Sequence, residues 1–199
     1  MPFQIGVKKT TIDATKNWLD PDGYTLLPNG VVLDDDKWGY EDTDNNYRKL
    51  IPSGTVLGKI TSSGKYRRCT QGTINKSGGY AAEAVEIVLD DALPFVAGDT
   101  ILIQAADDSW LEKVISEVDY STNTITVTVA LGAVVNDNAA VKGNDGSQEA
   151  LYFLEAETEV TNGDAMATAI DEGRVYEARL PYTMTDAEKT YLLYNFRIL

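Results

Sequence analysis

Short segments in which apolar and polar residues alternate dominate the chain after residue 50. The clearest is residues 124–129 (TITVTV), where threonine alternates with isoleucine or valine, as in a half-buried strand. Residues 81–89 fit either a strand or a short helix. Further strands are predicted at residues 55–61, 65–70, 100–104, 110–118, 165–170 and 174–180, separated by turns rich in Gly, Asn and Asp such as 144–146 and 171–173. The pattern predicts a mainly β protein.

A helix signal occurs only near the C-terminus. Thr185 and Glu188 have the spacing of a capping box, and Met184 precedes them as a staple residue. The side chains at helical spacing that would form its apolar face are Met184, Ala187, Tyr191 and Tyr194. One short C-terminal helix is therefore predicted.

Three regions differ in texture. Residues 1–49 show no lasting period, and such a stretch cannot bury enough apolar surface to offset its ordering entropy. We interpret it as an extended arm that orders against a partner. Residues 93–149 read as a small β domain inserted into a discontinuous domain of residues 50–92 and 150–199. The arm residues expected to contact the partner are Trp18, Tyr24, Leu26, Val32, Trp38 and Tyr40.

Composition narrows the function classes. The formal net charge is −14, which disfavours nucleic acid and anionic membranes as partners. The chain has no histidine, so Ser-His-Asp and Cys-His catalysis and His-containing zinc sites are excluded. The single cysteine, Cys69, fits synthesis in a reducing cytosol, and we expect no secretory signal and no membrane span. We expect a protein that is not an enzyme and needs no cofactor or metal.

Several features allow a functional and a plain structural interpretation. Residues 42–46 (DTDNN) begin like a calcium loop but lack its later ligands, and the acidic runs 34–36 and 107–108 are interpreted as solvated turns. Arg67 and Arg68 are expected to pair with surface acids, and Gly58 to mark a bulge or a close backbone approach. The aromatic side chains that could line a sugar-binding face, but that more often form a core, are Phe95, Trp110, Tyr152 and Phe153.

Residues 52–66 (PSGTVLGKITSSGKY) resemble the lambda-type head decoration protein family of bacteriophages. The matching positions are Gly54, Thr55, Val56, Leu57, Gly58, Lys59, Ile60, Thr61, Gly64, Lys65 and Tyr66. Residues 151–160, 163–170 and Gly173 match the family pattern more loosely. This chain departs from the family by its insertion at 93–149 and its longer N-terminal arm.

The resemblance implies a small β-barrel or β-sandwich and a capsid decoration, or cement, protein. Such a protein binds the outside of the expanded phage head as a homotrimer at threefold positions. There it contacts the major capsid protein, partly by adding a strand from its arm, and stabilises the head against internal DNA pressure. Two alternatives remain: a tail or fibre component, and a carboxylate-based glycan-binding or hydrolase module.

Overall fold

The computed structural model of the chain describes residues 17–21, 23–38 and 49–199. The protein is mainly β, as the alternating pattern predicts, and its described α-helix, α1, spans Asp186–Leu192. Short 3-10 turns occur at Asp35–Lys37 and Glu177–Arg179. The strands are β1 Thr25–Leu26, β2 Val31–Leu33, β3 Leu50–Ile51, β4 Val56–Lys59, β5 Tyr66–Arg68, β6 Gln71–Thr73, β7 Glu86–Val88, β8 Thr100–Gln104, β9 Trp110–Asp119, β10 Thr124–Val127, β11 Ala140–Gly143, β12 Ala150–Leu154, β13 Thr158–Glu159, β14 Ala165–Ala167, β15 Ala169–Val175 and β16 Phe196–Ile198.

The first sheet contains eight strands and curls into a half-barrel, the name used below. Its path runs β1-β15-β12-β4-β5-β2-β14, and β16 pairs in parallel with β15. Strand β1 is followed along the chain by β2, and their partners β15 and β14 are also consecutive in the chain. The two ends of the path, β1 and β14, therefore return to each other. Two groups of buried side chains fill this unit, one around Trp18 and Phe153 and one around Leu33 and Leu57.

The second sheet contains six strands in the order β6-β11-β8-β9-β10-β7. An antiparallel bridge between Ile74 and Leu89 joins its two outer strands, so the sheet closes into a barrel. Closure leaves no long free edge that could pair with other chains. The interior is apolar, and its members include Ile87, Phe95, Ile101 and Ile125, each 0% exposed. A third, two-stranded sheet pairs β3 with β13.

The barrel begins earlier in the chain than the predicted boundary at residue 93. Strands β6 and β7, which the pattern assigned to the first unit, pair with β11 and β10 of the barrel. Their side chains belong to the barrel core as well, since Ile87 and its neighbour Leu89 pack there. The inserted unit therefore extends from about β6 to β11, and the assigned limits of 93–149 are corrected accordingly.

The interpretation of residues 1–49 as an extended arm is wrong for the part that the structure describes. Strands β1 and β2 pair with β15 and β14 of the chain's own sheet. Trp18 is 1% exposed and Trp38 is 7% exposed, both inside the half-barrel. Residues 1–16, 22 and 39–48, among them Tyr40, lie outside the described residues. Residues 17–21 and 23–38 are thus an integral part of the fold.

Three further predictions about the C-terminal region are wrong. Residues 171–173 were expected to turn, but β15 runs through them without a break, and residues 177–179 form a 3-10 turn rather than a strand. Helix α1 begins with the predicted capping box of Thr185 and Glu188. Its buried face, however, is formed by Met184, Glu188 and Leu192, while the predicted apolar positions Ala187, Tyr191 and Tyr194 are exposed.

Candidate functional site

The segment that resembles the decoration proteins forms the hairpin β4–β5 in the middle of the half-barrel. Gly54 adopts φ +89° and donates its N–H to the Leu154 carbonyl at 2.8 Å, and the buried Thr55 hydroxyl donates to the Pro52 carbonyl at 2.7 Å. Val56, Leu57 and Ile60 are buried in the unit. Gly64 adopts φ +73° in the turn between the strands. The motif is therefore a structural element of this fold.

Gly58 lies where the half-barrel meets the chain returning from the barrel. A Cβ at this position would overlap the backbone of Ser147, and the register between β4 and β12 shifts next to it. The predicted close backbone approach and bulge are confirmed. Thr61 follows the same contact, since its N–H donates to the Asp145 carbonyl at 2.8 Å.

Charged side chains beside the hairpin form a compact cluster. Carboxylate oxygens of Asp34, Asp35 and Asp164 lie within 4.8 Å of one another. The Lys65 ammonium lies 2.7 Å from Asp164 and 3.7 Å from Asp34, and its hydrogen bond to Asp164 raises the pKa of Lys65. Asp34 is buried and accepts a hydrogen bond from the Asp36 N–H, so it is not the solvated turn residue that was expected. Lys65 offsets one of the three negative charges of this cluster.

Two consecutive arginines connect the half-barrel to the barrel. Arg67 is 1% exposed and donates to both carboxylate oxygens of Asp99, at 2.6 and 2.9 Å. It also donates to the Pro94 carbonyl at 2.7 Å and lies 3.3 Å from Asp145. Arg68 pairs with Asp91 at 2.6 Å. The expected pairing with acids is confirmed, but both arginines are buried rather than on the surface. We call the five charged residues Arg67, Arg68, Asp91, Asp99 and Asp145 the joint.

Asp99 is the anionic centre of the joint. Lys37 also donates to it at 2.8 Å, as does the Val96 N–H at 3.0 Å. Burial alone would raise the pKa of Asp99, but the hydrogen bonds and charge of Arg67, assisted by Lys37 and Val96, lower it below its ordinary value. Asp99 is therefore ionised at neutral pH and holds elements of both units together.

The residues predicted to contact a partner divide into two groups. Trp18 donates its indole N–H to the Ser53 hydroxyl at 3.1 Å and packs on Phe153 with 5.6 Å between ring centroids. Trp38 is buried around Leu33 and Ile51. Neither ring is accessible to a partner, because each fills the chain's own core.

The other group is exposed. Tyr24, Leu26 and Val32 are 38%, 41% and 37% exposed and lie on or beside the consecutive strands β1 and β2. Met166, the register partner of Val32 on β14, is 75% exposed. Sequence reasoning missed Met166, since only the pairing of β2 with β14 places it beside Val32. We call Tyr24, Leu26, Val32 and Met166 the strand patch.

The four aromatic residues weighed as a sugar-binding face do not share one location. Phe95 is buried in the barrel and Phe153 in the half-barrel. Tyr152 packs on Tyr66 with 5.8 Å between ring centroids. Trp110 alone of the four is largely exposed, at 42%.

Comparison with models of known protein families gives no match, and no curated protein matches the chain significantly. Within the described ranges, no helix has the length and apolar character needed to cross a bilayer.

Proposed function

We propose that the chain is a capsid decoration protein that binds the outer surface of an expanded phage head as a homotrimer. The observation that carries this proposal is the segment of residues 54–66, which resembles the lambda-type decoration family and forms the central hairpin β4–β5. A motif in the central strands of a sheet is part of the fold itself. It therefore indicates the type of domain more strongly than a motif in an exposed binding loop would.

The strand patch supports a revised mode of attachment. Its apolar side chains stand on paired strands, so they are held in place before a partner arrives. A preformed surface avoids the ordering cost that a disordered arm would pay on binding. Attachment to the major capsid protein then relies on a rigid apolar surface, and each trimer would present three copies that bind with avidity.

The size of the contribution follows from exposure. Complete burial of a Val or Met side chain contributes about 1.5–3 kcal/mol. Because Val32 is 37% and Met166 75% exposed in the free chain, their burial against a capsid is worth roughly 2 kcal/mol per subunit. This corresponds to about a thirtyfold change in affinity before avidity is counted.

The test is co-sedimentation of purified protein with expanded heads that lack it, taken from the virus that encodes the chain. The double variant V32D/M166D should bind at least about thirtyfold more weakly per subunit. The control is V129D, which places one aspartate at a 58% exposed valine outside the strand patch. Unchanged binding of the double variant would refute the role of this patch.

Sedimentation analysis should show a trimer for the free protein or for the bound form. Immunolabelling of intact particles separates the proposal from the tail or fibre alternative. Label over the head supports decoration, whereas label confined to the tail would overturn it.

A further inference from the structure

The outward side chains of β11, β8 and β9 form one outer face of the barrel, which we call the platform. In register across it, Lys142 lies beside Leu102 and Leu102 beside Glu112, while Gln104 lies beside Trp110. Asn144 follows directly after β11, and its N–H donates to the Thr100 carbonyl of β8. The platform thus combines one large ring, the aliphatic side chains of Leu102 and Val114, and a set of polar groups.

Trp110 lies on the outer face of the barrel and not in its apolar interior. Its side chain is 42% exposed, and the Lys142 ammonium lies 4.0 Å from the ring centroid. This contact orients the ring by cation–π attraction. An indole ring held on the surface of a sheet is an apolar stacking surface with one polar N–H at its edge.

The polar groups around the ring are planar and are held by one another. Asn144 donates its amide to Glu112 at 2.9 Å, and Gln104 donates its amide to Asp108 at 3.1 Å. An Asn or Gln amide has two N–H donors and an oxygen, and a carboxylate has two oxygens. Each group therefore keeps donors or acceptors beyond the bond that orients it, which suits recognition of a ligand with many hydroxyls.

The charge of the platform disfavours anionic ligands. Lys142 is offset by Glu112 in the same row, and Asp108 adds a second carboxylate. The chain as a whole carries −14, so phosphate- or sulfate-rich polymers are repelled. A neutral, hydroxylated ligand fits this balance.

The area of the platform decides between a sugar and a protein partner. With strands about 4.8 Å apart and outward residues about 6.8 Å apart along each strand, the three strands cover roughly 200 Å². A stable protein interface needs about 800 Å² on each partner, with an apolar centre. The platform is too small for such an interface, but its area matches two or three sugar rings.

From this arrangement we infer that the platform binds neutral carbohydrate, a function independent of attachment to a capsid. One C–H face of a pyranose ring stacks on Trp110. Gln104, Glu112 and Asn144 exchange hydrogen bonds with its hydroxyl groups. Within the proposed role, such a site on the barrel would bring a particle to a polysaccharide-bearing surface.

The test is a titration of the full-length ¹⁵N-labelled chain with cellotriose, maltotriose and chitotriose, followed by NMR. We expect at least one of these to shift the Trp110 indole resonance and the Gln104 side-chain amide in a saturable manner. Because the stacking surface carries the binding, W110A should weaken it at least about tenfold, and W110F should retain part of it. The control Y194A removes a 91% exposed aromatic from the C-terminal region and should bind as the wild type does.

Circular dichroism melting should show that W110A is folded, because the Trp110 side chain is on the surface. The inference is overturned if none of the three sugars gives saturable shifts up to tens of millimolar. It is also overturned if W110A binds as tightly as the wild type, or if W110A loses binding to virus heads while no sugar binds.

Discussion

Replacement of Asp99 by Asn removes one charge from the joint while keeping the size of the side chain. In the wild type, Asp99 is 5% exposed and receives bonds from Arg67, Lys37 and the Val96 N–H. Arg67 is 1% exposed, and within the described ranges its Nε has no hydrogen-bond partner. Its terminal nitrogens therefore make the bonds that keep the guanidinium in place.

The size of the destabilisation follows from the positive charge of Arg67, which stays buried after the substitution. D99N leaves the guanidinium of Arg67 buried with Asp145 as its remaining anionic partner, at 3.3 Å and itself 28% exposed. Removal of one partner from a buried ion pair costs about 3–5 kcal/mol. Because the Asn oxygen can still accept one hydrogen bond, we expect D99N to lower the free energy of unfolding by about 3 kcal/mol.

Urea denaturation followed by circular dichroism and tryptophan fluorescence measures this loss. The matched control is D164N, which breaks the exposed pair with Lys65 and should shift the midpoint far less, since exposed pairs contribute little. A loss below about 1 kcal/mol for D99N would show that Arg67 does not depend on Asp99. Since the folded-state pKa of Asp99 is lowered, its contribution is present above the unfolded pKa of about 3.9 and is lost as the pH falls through the folded pKa. D99N should therefore lose less stability in acid than the wild type.

Three further measurements test other parts of the fold. G58A should destabilise the chain by about 1–3 kcal/mol in urea denaturation because the new Cβ overlaps Ser147, whereas G23A, with open space around it, should not; equal midpoints would contradict the close approach. Burial raises the folded-state pKa of Glu188 above 4.5 despite its bonds to Thr185, so its contribution to stability is full below the unfolded pKa and falls as the pH rises through the folded value. E188Q, which can still cap α1, should flatten this pH dependence of the urea midpoint, and an unchanged slope would argue against it. Burial also raises the pKa of the fully buried Cys69 thiol well above its usual value, so Ellman's reagent should modify it only on unfolding; rapid reaction in native buffer would contradict its burial.

Elements whose signal is local could be predicted from the sequence. The strand β9 at Trp110–Asp119 and the start of β10 at Thr124 agree with the alternating pattern, because these strands are neighbours in the barrel and are joined by a short turn. The capping box of α1 is equally local, since Thr185 and Glu188 are three residues apart.

Elements that depend on distant pairing could not be predicted. Strands β1 and β2 have two and three residues, too few for a period to be read. Their partners β15 and β14 come near the other end of the chain. Trp18 and Trp38 therefore resembled anchors without a core, although their cores are formed by residues such as Phe153 and Ile51.

The buried face of α1 was predicted wrongly because it includes a hydrogen-bonded glutamate, which a pattern of apolar residues does not indicate. Met184, Glu188 and Leu192 have the same four-residue spacing as an apolar stripe. Glu188 tolerates burial because its carboxylate accepts hydrogen bonds from the Thr185 N–H and hydroxyl. Tyr191 and Tyr194 are exposed. Their exposure follows from the packing of the opposite side of α1 on the half-barrel, which the sequence alone does not show.

The joint attaches the barrel to residues 54–66, the segment that resembles the decoration family. Arg67 and Arg68 follow directly after Tyr66, the last residue of that motif, so the hairpin of the half-barrel carries the arginines to Asp99 and Asp91. Gly58 and Thr61 of the same hairpin contact the chain that returns from the barrel. A barrel that contacts one hairpin at several points cannot move relative to it as freely as a domain on a flexible linker would. If the half-barrel attaches to a capsid, the platform on the barrel is therefore presented in a fixed orientation, and loosening the joint by D99N should alter that orientation before it alters either surface.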